Sequence, residues 1–255
     1  MPFVQIGSSS LEYHEIDASR ADLPAIVMLH EGLGSVSLWK DFPRAVARVT
    51  GQRVLVYSRA GYGRSTPLTA PRTVRYMHDE ALIVLPQFLD RLAIEKPLLF
   101  GHSDGASIAL IYAGGSGQEV SGLILLAPHV IVEDLSVTSI AAVGRDYEST
   151  ELRGKLSRHH EHVDSMFRGW NDIWLDPAFR TWTIEEYLPR ISCPVLAIQG
   201  YDDEFGTMEQ IERIRRAMPQ AELQKLAHCR HSPHRDQPEA VLEAAARFTS
   251  RLFAA

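Results

Sequence analysis

Short runs of consecutive apolar residues recur along this chain, separated by longer stretches in which apolar residues return every three or four positions. The runs at 25–29, 53–57, 97–100, 122–126 and 195–198 read as buried strands, and 222–226 reads as a sixth of mixed polarity. Between them, residues 38–49 carry Trp39, Phe42, Val46 and Val49 at helical spacing, and helices are expected near 74–92, 106–113 and 208–218 and from Pro238 onward. Residues 2–16 alternate loosely about Gly7-Ser8-Ser9-Ser10 and suggest a leading hairpin. Continuous apolar strands alternating with helices imply a mainly parallel sheet covered by helices on both faces, an α/β fold. The rhythm breaks over 131–187, which is more polar and holds three of the four tryptophans, with a stripe at Val163, Met166, Phe167, Trp170 and Trp174. This predicts a core built from 1–130 and 188–255, with a helical cap inserted at 131–187. Such a stripe packs an insertion onto its core or lines a site beneath it.

The stretch Gly101-His102-Ser103-Asp104-Gly105 lies between the apolar run ending at Phe100 and the helix starting near Ala106. A G-x-S-x-G between strand and helix is the pattern of a nucleophile elbow, a turn sharp enough to hold the serine strained and exposed. A serine hydroxyl needs a base to take its proton and a third group to orient that base. Carboxylates follow the strand at 195–198 in Gly200-Tyr201-Asp202-Asp203-Glu204, and histidines follow the last strand in His228-Cys229-Arg230-His231-Ser232-Pro233-His234. Both sit where a parallel sheet carries its ligands, at the carboxyl ends of strands. Spacing alone leaves Asp202 beside Asp203, and His228 and His234 beside His231. Glu133 or Asp134 after the 122–126 strand is a further position for the acid.

Five segments, in order, resemble the α/β-hydrolase fold family over nearly the whole chain. They are Leu29-His30-Glu31-Gly32-Leu33-Gly34, Ser58-Arg59-Ala60-Gly61-Tyr62-Gly63-Arg64-Ser65, the elbow, the acid loop and the histidine loop. The resemblance implies Ser103 as nucleophile, Asp203 as acid and His231 as base, with an oxyanion hole from the main-chain N–H groups of Asp104 and of Gly32, or of Leu33 in a shifted alignment. Three positions depart from the family pattern: Ser58 stands where Asp is common, Glu31 where Gly follows the histidine, and Arg230 where Gly precedes it. The acidic Asp104 side chain receives no catalytic role. His234 is expected to make a structural hydrogen bond and His30 to order its loop.

The implied function is hydrolysis of a carboxylic ester or related acyl bond through an acyl-enzyme. Carbon–carbon hydrolysis of a meta-cleavage product, enol-lactone or thioester hydrolysis, and non-enzymatic binding on the same fold are the alternatives. Leu33, Phe167, Trp170 and Trp174, with Phe179 and Trp182, are expected at the substrate, favouring an apolar group. The chain has 255 residues, a formal net charge of −6 and two cysteines, Cys193 and Cys229. Net acidity argues against a nucleic-acid partner. No signal peptide or bilayer-length apolar run is visible, and two cysteines make no disulfide framework, so a cytoplasmic location is expected. The histidine clusters, including His159-His160-Glu161-His162 in an expected solvated helix, match no zinc spacing, and no metal or cofactor is expected.

Overall fold

The computed structural model describes residues 1–254. The chain opens with a hairpin of β1 (Phe3–Ile6) and β2 (Ser9–Ile16), followed by β3 (Ile26–Leu29), α1 (Phe42–Thr50) and β4 (Val54–Tyr57). A helix runs from α2 (Tyr76–Asp79) through a wider π-helical turn, Glu80–Val84, into α3 (Leu85–Arg91). Then come β5 (Leu98–His102), α4 (Asp104–Gly115) and β6 (Gly122–Leu126). Between β6 and β7 (Val195–Gly200) the chain is helical: α5 (Asp134–Ser149), α6 (Leu152–Leu156), α7 (Val163–Leu175) and two 3₁₀ turns. The remainder is α8 (Glu209–Ala217), β8 (Glu222–Leu226), α9 (Pro233–Asp236) and α10 (Pro238–Leu252).

All eight strands form one sheet in the order β1-β2-β4-β3-β5-β6-β7-β8, antiparallel at β1–β2 and β2–β4 and parallel from β4 to β8. Every residue of β3, β4, β5, β6 and β7 is buried. The twofold alternation of strand side chains divides them between two cores. Val27, Leu29 and Leu99 face α4 and the helices beyond it, while Ile26, Met28, Leu98 and Phe100 face Phe42 and Val46 of α1 and Val241 and Phe248 of α10.

The strand order decides where a site can form. From β3 the chain steps to β4 on one side, then returns across β3 to β5 on the other. The loops after β3 and β5 therefore diverge and leave a crevice at the carboxyl edge of the sheet. Two details differ from the sequence reading. Strand β5 runs on to His102 and β7 to Gly200, because pairing with β6 and β8 continues past the apolar run (His102↔Leu126, Gly200↔Leu226). The helix expected over 38–49 is broken: a 3₁₀ turn over Val36–Trp39 ends at Lys40, whose φ is 52°, and α1 restarts with Pro43 in its first turn.

Candidate active site

Ser103 sits between β5 and α4 with φ 52° and ψ −119°, outside the regions L-residues favour. The turn can be this tight only because its flanks lack side chains. A Cβ on Gly101 would run into the Gly105 carbonyl and the Ala106 main chain, and one on Gly105 into the Leu29 carbonyl. The Ser103 N–H is held by the Leu126 carbonyl at 2.9 Å, and the Ser103 carbonyl takes the N–H groups of Ala106 and Ser107. Its Oγ is 2.9 Å from Nε2 of His231.

Nδ1 of His231 lies 2.9 Å from both carboxylate oxygens of Asp203. Asp203 is buried and further accepts from Gln199 Nε2 (2.7 Å) and from the main-chain N–H groups of Phe205 (2.8 Å) and Gly206 (3.1 Å). Burial alone would raise its pKa, but the charge and hydrogen bond of His231 and the Phe205 amide outweigh it and hold the carboxyl below its ordinary value. Burial likewise pulls His231 down, yet Asp203 foremost, then Glu204 and Glu31, lift it above the ordinary imidazole value. The structure thus brings Ser103, His231 and Asp203 into one hydrogen-bonded line. It leaves the neighbours out: Asp202 and His228 are exposed, and Glu133 is tied to Thr207 and Gln210 of the α8 region.

The His30 loop closes the other side. Nε2 of His30 accepts the Arg59 N–H at 3.2 Å, which leaves Nδ1 to donate to the Glu31 carbonyl at 2.7 Å. Burial first, then Arg59, keeps this imidazole well below its ordinary pKa. Gly32 supports the indole of Trp170 so closely that a Cβ there would overlap it. Asp104 is fully buried and accepts the Tyr76 hydroxyl at 2.7 Å, and the Tyr76 oxygen in turn accepts Trp174 Nε1 at 2.9 Å. Arg59, also buried, lies 3.5 Å from the Asp104 carboxylate.

Ser103 and His231 open on a cavity of about 230 Å³ roofed by Trp170 and Trp174 of α7 and by Ile140 and Val143 of α5, with Leu33 and Phe205 among its apolar walls. Leu33, Trp170 and Trp174 are therefore at the site. Phe167 is not: it stacks on Tyr147 with centroids 3.7 Å apart, because its turn of α7 faces α5. Phe179 and Trp182 stack on each other at 5.3 Å and pack against Trp174, but do not themselves line the cavity.

Two histidine expectations are corrected. His160 lies between α6 and α7 and is buried, not solvated. Its Nδ1 accepts the Gly63 N–H at 2.9 Å and its Nε2 donates to the Leu33 carbonyl at 3.0 Å, pinning this segment to the loop after β3. Burial lowers its pKa to about 4, which preserves the neutral form those bonds need. Neither ring nitrogen of His234 has a hydrogen-bond partner, and the ring packs among Trp39, Phe42 and His102 instead. The loop of His231 is held by His102, whose Nε2 donates to the His231 carbonyl at 2.7 Å.

Sequence reasoning missed Arg59, Tyr76 and His129. His129 forms part of the cavity wall, with its ring centroid 5.5 Å from that of His231. Its place just beyond β6, at the ligand-bearing edge, was a usable signal. Tyr76 comes from a distant helix, and nothing local marks it. Among the described residues no cluster of metal-ligating side chains is present, and no helix is long and apolar enough to cross a membrane.

Comparison with known proteins agrees with this architecture. Residues 26–244 match the model of the alpha/beta hydrolase family. The chain is 24% identical to the mouse (Mus musculus) sn-1-specific diacylglycerol lipase ABHD11, covering 93% of this chain and 84% of that one. It is 28% identical to the putative carbamate hydrolase RutD of Pseudomonas savastanoi pv. phaseolicola, covering 89% and 94%. A carboxylesterase structure from the thaumarchaeon Nitrososphaera gargenis superposes with a TM-score of 0.78 at 19% identity over 99% of both chains. With the family model spanning most of its length, its sheet order and its elbow after β5, the chain belongs to the alpha/beta hydrolase family.

Proposed function

We propose that the protein is a serine hydrolase of compact carboxylic esters. The unbroken line from Ser103 Oγ through His231 to Asp203, opening on a small and largely apolar cavity, carries this reading. Ser103 Oγ attacks the ester carbonyl carbon while His231 Nε2 takes the hydroxyl proton. Asp203 holds Nδ1–H and stabilises the imidazolium that forms. The tetrahedral oxyanion is received by the main-chain N–H groups of Asp104, at the start of α4, and of Gly32. The carbon–alkoxide bond then breaks, and the departing oxygen takes the proton from His231. Water repeats the sequence on the acyl-enzyme, releasing the acid and restoring Ser103. The relatives, named for lipase and carbamate hydrolase activities, support cleavage beside a carbonyl carbon. The helical segment 131–187 acts as a cap that shapes substrate choice.

A fluorophosphonate probe tests the reading. It should label the protein at Ser103, and Ser103→Ala should abolish both labelling and p-nitrophenyl ester hydrolysis while leaving the melting temperature within a few degrees. Undiminished labelling of the variant would remove Ser103 from the reaction.

A further inference from the structure

We infer that Arg59 is a positioning residue for the oxyanion hole, one buried guanidinium fixing both loops that supply its N–H groups, with Asp104 kept at the elbow as its counter-charge. The inference rests on the assignment of the Gly32 and Asp104 amides to the oxyanion.

The first loop is held through a carbonyl. Arg59 Nη2 donates to the Glu31 oxygen at 2.9 Å, and the same oxygen takes His30 Nδ1 at 2.7 Å and the Gly34 N–H at 3.0 Å. The Glu31–Gly32 peptide is trans, so its N–H points opposite to its C=O. Drawing the oxygen toward Arg59 therefore turns the Gly32 N–H away from it, and Gly32 and Ser103 both border the cavity. A cation on the oxygen end also polarises the amide, making the N–H a stronger donor. The second loop is held through a side chain. The same Nη2 lies 3.5 Å from Asp104 Oδ2, on the residue whose own N–H is the elbow donor. Both donors thus take their bearings from one rigid group, itself set over the Tyr62 ring at 4.7 Å.

The unmet valences argue that stability is not what retains this pair. Arg59 Nη1 and Asp104 Oδ1 are both buried without a hydrogen-bond partner. A buried ion pair with incomplete hydrogen bonding is commonly replaced by apolar or neutral groups at little or no cost to folding. A role in placing the two amides accounts for the charge and for the acidic residue at the elbow, which the reaction steps leave unexplained.

The test compares wild type, Arg59→Met/Asp104→Asn and Arg59→Lys, with Arg72→Met as control. The double variant removes both charges together, so neither is stranded. Arg59→Lys keeps a cation but not the planar fork. Arg72 lies over the Tyr62 and Tyr76 rings, at 5.0 Å from each, but donates to the Ala60 carbonyl and not to the Glu31 carbonyl or the Asp104 carboxylate. For each protein, kcat and KM for p-nitrophenyl butyrate are measured. So is Ki for an alkyl trifluoromethyl ketone, whose adduct with Ser103 places a negative oxygen in the hole. Both Arg59 variants should lower kcat and raise Ki by roughly 10²-fold, with KM held within about threefold, because the contact matters chiefly in the tetrahedral state. Arg72→Met should leave the ratio of KM to Ki unchanged. Folded Arg59 variants with unaltered kcat and Ki overturn the inference, as does a parallel rise in KM and Ki that tracks lost melting temperature. A wild-type protein inert to both the ketone and a fluorophosphonate overturns the serine-hydrolase reading itself, a separately recognisable result.

Discussion

At His231 two opposed effects meet on one imidazole: burial disfavours its charge, and Asp203, 2.9 Å away, joined by Glu204 and Glu31, outweighs it. The net displacement is upward from the ordinary value near 6.5, and it has a kinetic consequence. On the proposed mechanism His231 is the base and must be neutral to accept the Ser103 proton. The kcat/KM of an ester should therefore rise with pH, with a midpoint above that ordinary value. Asp203→Asn removes the largest effect that raises the pKa and leaves burial opposed only by Glu204 and Glu31, so the midpoint should fall while kcat drops by about 10⁴, as when the acid of a serine-protease triad is replaced. Asp202→Asn, at an exposed carboxylate, should change neither. A wild-type midpoint below 6, or a crippled Asp202→Asn, would show that another group sets the protonation state.

Between elements, the decisive contact is α7 against the loop after β3. Trp170 lies on Gly32 with no room for a methyl group, so α7 and the loop proposed to supply an oxyanion N–H share one surface. Gly32→Ala should displace one of them and reduce kcat/KM by about tenfold or more, since a misplacement of about 1 Å can cost 10²-fold. In a Trp170→Ala background the same methyl has space, and its cost should shrink by at least about 1 kcal/mol as read by a double-mutant cycle. Simple additivity would mean that the loop, not the helix, suffers from the methyl. Trp174 adds a second tie through Tyr76 to Asp104, and His160 a third to Leu33. The segment 131–187 is thus joined to the core at the groups that surround the cavity.

For the molecule as a whole, charge and cavity size act together on substrate choice. Arg235, at the cavity wall, is directed at Glu31 (3.3 Å) and the Leu38 carbonyl (3.4 Å). His129 is driven down to about 3 by burial and then by His231, and is neutral at working pH. A second carboxylate on the substrate would meet no uncommitted cation in this wall, and the chain's net charge of −6 opposes its approach. p-Nitrophenyl 4-methylpentanoate should therefore outperform the near-isosteric mono-p-nitrophenyl succinate in kcat/KM by at least about tenfold, equivalent to roughly 1.4 kcal/mol. Equal rates, or a preference for the succinate, would point to an acid-binding site and toward the diacid substrates of carbon–carbon hydrolases.

What the sequence determined alone is local. Apolar runs mark buried strands because a strand covered on both faces has few positions for a polar side chain, and this located β3 through β7 to within two residues. The elbow was legible because its glycines and strained serine are contiguous, so their constraint is written in five adjacent residues. The candidate acid and base were narrowed to short loops for the same reason, strand ends being visible in the pattern. Choosing Asp203 over Asp202 took the family spacing, and only the fold brings Asp203 to His231 while leaving Asp202 exposed. Tertiary structure decided everything that depends on approach between distant segments. The stripe on α7 reads alike at Phe167, Trp170 and Trp174, yet Phe167 turns toward Tyr147 and the two tryptophans toward the cavity, a matter of how α7 is rotated against α5. His160 carries no local sign of burial, since its two partners are 97 and 127 residues away in the chain. Arg59 and Asp104, 45 positions apart, become a pair only because β4 and β5 flank β3 in one sheet. Side-chain periodicity reports which face of an element is buried, and the packing of elements decides against what.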